Sequence, residues 1–197
     1  MNKSVSKTVM NREGSRLLLR IALIALFAAL TAAGAFIAIP IGPVPIVLQN
    51  LFALLSGVIL GPLMGCASVG LYLLAGILNF PVFAGGTGGI ARFAGPTGGF
   101  LVGYLLAAFT AGLIVGRPRA GAPASMIRLI AAVVAGFLVV YVPGVIWLKL
   151  SRNLAWPAAF LAGFVPFIIG DTLKGIAAVL IAPRLRRTVA GFLEGEK

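Results

Sequence analysis

Asp171 and Lys174 stand three residues apart in the segment PFIIGDTLK, within an otherwise uncharged apolar stretch. On a helix that spacing puts both side chains on one face. An ionised group at the centre of a bilayer costs roughly 2.5–3.5 kcal/mol, so each of these two needs a partner or a ligand. Two chemistries stay open. The residues can form an ion pair that only neutralises itself, or they can grip a small molecule carrying both N–H donors and a carboxylate. Asp171 is one of four acidic residues, and the other three, Glu13, Glu194 and Glu196, lie near the chain ends. Pro166 suits the first turn of a helix. A helix beginning there places Asp171 ~7.5 Å inside it, close to the mouth of a bundle.

Three other segments offer polar groups. The stretch GPVPIVLQN at 42–50 is stiffened by Pro43 and Pro45, with Pro40 just before it, and cannot be helical there. It reads as an apolar flap, and Gln49 and Asn50 open the next span with amides able to pair with a polar ring. Those amides can equally satisfy backbone at a helix start. The stretches PVFAGGTGG at 81–89 and GPTGG at 95–99 repeat a Thr-Gly-Gly unit ten residues apart. Their glycines permit positive φ and let backbone amides approach a ligand, or else serve close packing. No phosphate-loop lysine follows, so nucleotide binding is unsupported. Arg92, between the two units, can meet an anionic group or face solvent. The predicted binding residues are Asp171, Lys174, Gln49, Asn79, Gly85, Gly86 and Arg92.

The elements that position these groups follow from composition. Of 197 residues, 60% are hydrophobic and 10% charged, against about 25% charged in soluble domains. The chain is therefore an all-α integral membrane protein, forming a single domain over 1–197. Six spans are expected, near 21–39, 46–60, 63–79, 98–116, 127–148 and 166–182. A basic tail over 1–20 precedes the bundle at 21–182, and a second tail follows over 183–197. The second and third runs are short for a span.

Net charge is +12, and its placement sets the orientation. Lys3, Lys7, Arg12, Arg16, Arg20, Arg117, Arg119, Arg128, Arg184, Arg186, Arg187 and Lys197 fall on one side if both termini are cytoplasmic. Arg92, Lys149 and Arg152 fall on the other. That asymmetry is the signature of positive cytoplasmic loops. It leaves no basic face for nucleic acid. The outer connections, 39–45, 80–99 and 149–165, are long and apolar, as if folded over an outward-facing site. Histidine is absent and Cys66 is the only cysteine, so a histidine or paired-cysteine metal site and a serine–histidine protease dyad are excluded. Metal-dependent phosphotransfer wants several carboxylates, and the membrane region holds one.

In the first span Ala22, Ala25, Ala28, Ala29, Ala32 and Ala33 fall on one side, opposite Leu23, Leu26, Phe27 and Leu30. Small residues at this spacing let helices approach closely. The partner can be another helix of the bundle or a separate membrane subunit docking on Ala25, Ala29 and Ala33.

The alanine-rich first span, GPVPIVLQNLF, FPVFAGGTGG, GPTGG and the Asp-x-x-Lys pair together resemble the BioY family, the biotin-specific S components of energy-coupling-factor transporters. The resemblance covers nearly the whole hydrophobic region, and Phe80 stands where the family often has leucine. It implies six helices, with biotin held under the outer loops. Asp171 would accept from the ureido N–H groups, and Lys174 would attract the polar or carboxylate end. It implies a membrane coupling protein on the alanine face, associated with two cytoplasmic ATPases, and a setting in the bacterial cytoplasmic membrane. The chain would be no enzyme and hold no cofactor or metal, ATP being used only by the partner subunits. A stand-alone biotin transporter, or the same scaffold for another small vitamin, are the alternatives.

Overall fold

In the computed structural model the backbone is described for residues 3–40 and 42–194, and side chains from residue 14 onward within those limits. The side chains of Lys3, Lys7, Arg12 and Glu13, together with Glu196 and Lys197, lie outside the described residues. Helix α1 (Lys3–Phe36) leads into a small antiparallel pair, β1 (Ala38–Ile39) and β2 (Ile46–Val47), with Ala38 opposite Val47. Then come α2 (Gln49–Leu60), α3 (Pro62–Ile77), the short α4 (Ile90–Ala94), α5 (Gly98–Val115), α6 (Met126–Arg152), α7 (Trp156–Gly163) and α8 (Phe167–Glu194).

Three helices are long and apolar enough to cross a membrane: α1 over Gly14–Phe36, α5 and α6. The pair α7 and α8, bent by 42° at a short break, makes a fourth if counted as one span. Helices α2 and α3 are apolar but only about 18 and 24 Å long at 1.5 Å per residue. Burial runs opposite to that of a soluble globule. Thr31, Gln49, Asn50, Ser56, Ser68, Asp171, Lys174 and Arg186 are inside, whereas Leu18, Ile127 and Ile169 face outward. A chain that hides polar groups and exposes leucine and isoleucine has hydrocarbon as its solvent. It is a multi-pass membrane protein.

Helix α2 is the centre of the bundle, touching α1, α3, α5, α6 and α8. Its close neighbours come near because glycines face them. A Cβ on Gly57 would lie 2.0 Å from the Ala108 carbonyl oxygen of α5, and one on Gly65 of α3 would meet Gly57 at 2.5 Å. The Ser56 hydroxyl, buried between α2 and α3, donates to Ala53 O and is 3.2 Å from Gly65 O.

The connections sort to two ends. The segments around 37–48, 78–97 and 153–166 meet at one end, where Val44, Arg92 and Phe167 help enclose common space and Trp147 Nε1 donates to Gly95 O at 2.9 Å. The opposite end holds Gly61, the segment 116–125 and the close of α8. There Arg186 is buried, although sequence placed it in a solvated tail. Its guanidinium donates to Val58 O, to Gly116 O at 3.1 Å and to Arg117 O at 3.2 Å. These carbonyls end α2 and α5 without helical partners, and a cation there meets the negative poles of both helices.

Several expected boundaries shift for identifiable reasons. Residues 46–47 are strand rather than helix, because three prolines hold the flap extended and it pairs back on itself. Helix α6 runs on to Arg152, taking in Lys149 and Arg152, and the expected loop after it contains α7. Helix α8 continues through Pro183 to Glu194, so 183–194 is helix and not a tail. Ala182, Val189 and Ala190 are buried on its inner face, and that packing outweighs the one hydrogen bond Pro183 removes. On α1, Ala22, Ala25, Ala29 and Ala33 face outward as one stripe. Ala28, however, is buried, Ala32 is half-buried, and Leu26 is exposed, so the alanines do not share a single face.

Gly57→Ala should destabilise the bundle by about 1–3 kcal/mol, since the added methyl overpacks a backbone contact. The check is a lowered unfolding midpoint in detergent; an unchanged midpoint would mean α2 and α5 are not in contact there.

Candidate substrate-binding site

Helix α8 opens just after Pro166 and presents Asp171 and Lys174 one turn apart on its inner face. Both are buried and form an ion pair at 2.9 Å. Asn50, from the first turn of α2, joins them in both directions: its amide nitrogen donates to Asp171 Oδ1 at 2.9 Å, and its oxygen accepts from Lys174 Nζ at 2.9 Å. Lys174 makes its third bond to Val47 O of β2 at 2.8 Å. The second carboxylate oxygen of Asp171 accepts from the Tyr141 hydroxyl of α6 at 2.5 Å.

The three donors of Lys174 are thus all occupied, while Asp171 accepts three bonds out of about four its oxygens can take. The pair is satisfied, which is the condition for keeping charge in a low-dielectric interior. It also ties the flap, α2, α6 and α8 to one point.

Next to this cluster, two adjoining cavities of about 20 Å³ each share Val44, Pro45, Val47, Phe100 and Tyr104 as walls. One is bounded by Asn50, Tyr141 and Asp171. The other is bounded by Gln49, Arg92 and Thr97. Polar character differs between the two ends. The first has a carboxylate with accepting capacity left. The second has Arg92, whose one hydrogen bond, to Ala84 O at 3.0 Å, leaves most of its donors available. Gln49 donates to the Tyr72 hydroxyl at 2.6 Å. Phe100, Tyr104 and Tyr141 line this space, Phe100 and Tyr141 meeting edge to face at 6.4 Å, and Phe164 packs on Tyr141 at 4.7 Å without lining either cavity. The Tyr104 hydroxyl makes no hydrogen bond to a described residue and borders both cavities.

Of the predicted residues, Asp171, Lys174, Gln49 and Arg92 come together here. Gly85 and Gly86 form the exposed turn of the Phe83–Thr87 bridge, at φ of 78° and 67°. They follow Ala84, which lines the second cavity. Asn79 is exposed in a left-handed conformation, φ 72°, and lines neither cavity. Its side-chain oxygen lies against Gly89, where it braces the loop. Sequence reasoning passed over Tyr72, Tyr104 and Tyr141. They are the only three tyrosines in the chain, and all three lie at this site. That scarcity was the available signal.

The model of the BioY family matches residues 2–191. A probable biotin transporter BioY of Pyrococcus horikoshii is 43% identical over 166 residues, covering 84% of this chain and 95% of the relative. The biotin transporter BioY of Thermotoga maritima is 40% identical, covering 82% and 92%. That of Rhodobacter capsulatus is also 40% identical, covering 87% and 93%. Among solved structures, the S-component for biotin from an ECF-type ABC transporter superposes with a TM-score of 0.75 at 32% identity, over 85% of this chain and 90% of that one. With a family match over nearly its full length, and the buried charge pair the family resemblance led one to expect, this chain belongs to the BioY family.

Proposed function

We propose that this protein captures biotin for uptake across the cytoplasmic membrane, as the substrate-binding subunit of an energy-coupled transporter. The observation that carries the reading is the polarity of the enclosed space, acceptor at one end and cation at the other, with aromatic walls between. Biotin has that pattern: a ureido ring with two N–H donors, an apolar bicyclic body and chain, and a terminal carboxylate. The ring sits at the Asp171, Asn50 and Tyr141 end, and the carboxylate reaches Arg92 and Gln49. Lys174, with its donors engaged, pairs with Asp171 and fastens β2 of the flap.

The bundle spans the membrane six times, α2 and α3 counting as short spans joined at Gly61, with both termini cytoplasmic. The excess of arginine and lysine at the Gly61 end supports that orientation, and it opens the site to the outside. Pockets for small ligands usually measure about 300–1,000 Å³, so the flap at 38–47 lifts to admit biotin and settles on it. The outward alanine stripe of α1, Ala25, Ala29 and Ala33, offers a flat surface for a membrane coupling protein that works with two ATPases. The chain itself uses no cofactor, and ATP belongs to those partners. A stand-alone biotin transporter would use the same site without the stripe.

Three outcomes test this. Asp171→Ala should weaken biotin binding at least tenfold, about 1.4 kcal/mol or more, by titration calorimetry of the detergent-solubilised protein; unchanged affinity in folded protein sinks the assigned site. Arg92→Ala should abolish discrimination between biotin and biotinamide. If the variant still prefers the free acid, another group reads the carboxylate. Ala29→Leu should lower uptake and recovery of the coupling protein while biotin affinity holds. A parallel fall in affinity would place that stripe inside the bundle.

A further inference from the structure

A second recess, of about 480 Å³, lies on the outside of the bundle between α6 and α8. Its walls run from Ile130 to Tyr141 on α6 and from Ile168 to Leu180 on α8, about 16 and 18 Å at 1.5 Å per residue. Half the hydrocarbon core of a bilayer is about 15 Å deep, so the groove has the length of one acyl chain in one leaflet. Its lining is apolar except at the loop end, where Tyr141, Asp171 and Thr172 stand. Asp171 is there already paired with Lys174.

The other end is basic. Arg184 and Arg187 follow Leu180 by four and seven residues on α8 and, three apart, share a face with one another. Both are exposed, and the only ion pair among the described residues is Asp171–Lys174. They extend about 6 and 10 Å past the last apolar wall residue, at the depth of a phospholipid headgroup.

We propose that this groove holds one acyl chain of an anionic phospholipid, with its headgroup phosphate on Arg184 and Arg187. A zwitterionic lipid fits the apolar wall equally but leaves two guanidinium charges uncompensated. The far end of the chain rests on Tyr141 and Phe164, and Tyr141 also walls the cavity beside Asp171. The inference relies on the membrane reading of the bundle and not on the identity of the ligand, so biotin binding serves as an independent control.

The full chain is reconstituted in vesicles of phosphatidylcholine with a minority of phosphatidylglycerol, extracted in mild detergent, and its retained lipid counted by native mass spectrometry. Each basic residue near an anionic lipid is worth about a factor of five, so phosphatidylglycerol should be enriched roughly tenfold or more over its share of the vesicle. The double variant R184Q/R187Q, altered only at exposed positions, should return retained lipid to the bulk ratio while binding biotin normally. Val134→Trp, filling the groove from its exposed wall, should remove the lipid. Retention in bulk proportions by the unaltered chain, enrichment that survives R184Q/R187Q, or a lipid-free dimer would overturn the proposal.

Discussion

The functional end of this bundle depends on a carboxylate and an ammonium that satisfy one another away from water. Neither charge tolerates hydrocarbon alone, and their mutual attraction repays the desolvation only if the remaining donors and acceptors find partners. Here Asn50 bonds both members, Val47 supplies a carbonyl and Tyr141 a hydroxyl. Four separate elements must be in register for this to hold. The cluster therefore fixes where the flap, the start of α2, the middle of α6 and the head of α8 stand relative to one another.

Around that fixed point the bundle is held by the glycine-mediated contact of α2, α3 and α5, together with Arg186 on the carbonyl ends of α2 and α5. Over the site lies a short strand pair whose connecting segment carries Pro40, Pro43 and Pro45, so its backbone has little freedom to lose. Among the described residues its polar tie to the floor runs through Val47 O, a backbone group.

Much of this was legible in the residues. An intramembrane Asp-x-x-Lys can sit only inside a bundle, so its burial and pairing followed from the cost of charge in lipid. The helix breaks at Gly61, at the proline-rich flap and at Gly116 were equally readable. What escaped had specific causes. Arg186 read as a tail charge because its acceptors, helix-end carbonyls from α2 and α5, are invisible until the fold brings them near. Tyr141 lies 30 residues from the carboxylate it bonds, on a helix whose period gives no hint of one polar contact. The glycine pair, read as bringing backbone amides to a ligand, turns directly after Ala84 at the second cavity, while Asn79 Oδ1 lies against Gly89. The outward setting of Ala25, Ala29 and Ala33, and the inward turn of Ala28, could be settled only by knowing which side of α1 meets α2 and α3.

The unequal helix lengths carry one more consequence. Helix α6 extends about 40 Å and α3 only about 24 Å, yet both expose apolar side chains at the perimeter, Leu71 and Leu74 on one and Val142 and Ile146 on the other. A uniform sheet of lipid cannot match both flanks. Lipid meeting α3 as a full span would have to thin beside it while lipid along α6 would not, at a cost of fractions of a kcal/mol per Å of mismatch. Such a protein would sit in a lopsided collar of lipid. Any neighbour that shields the thin flank relieves that distortion, a lateral pull that requires no specific contact at all.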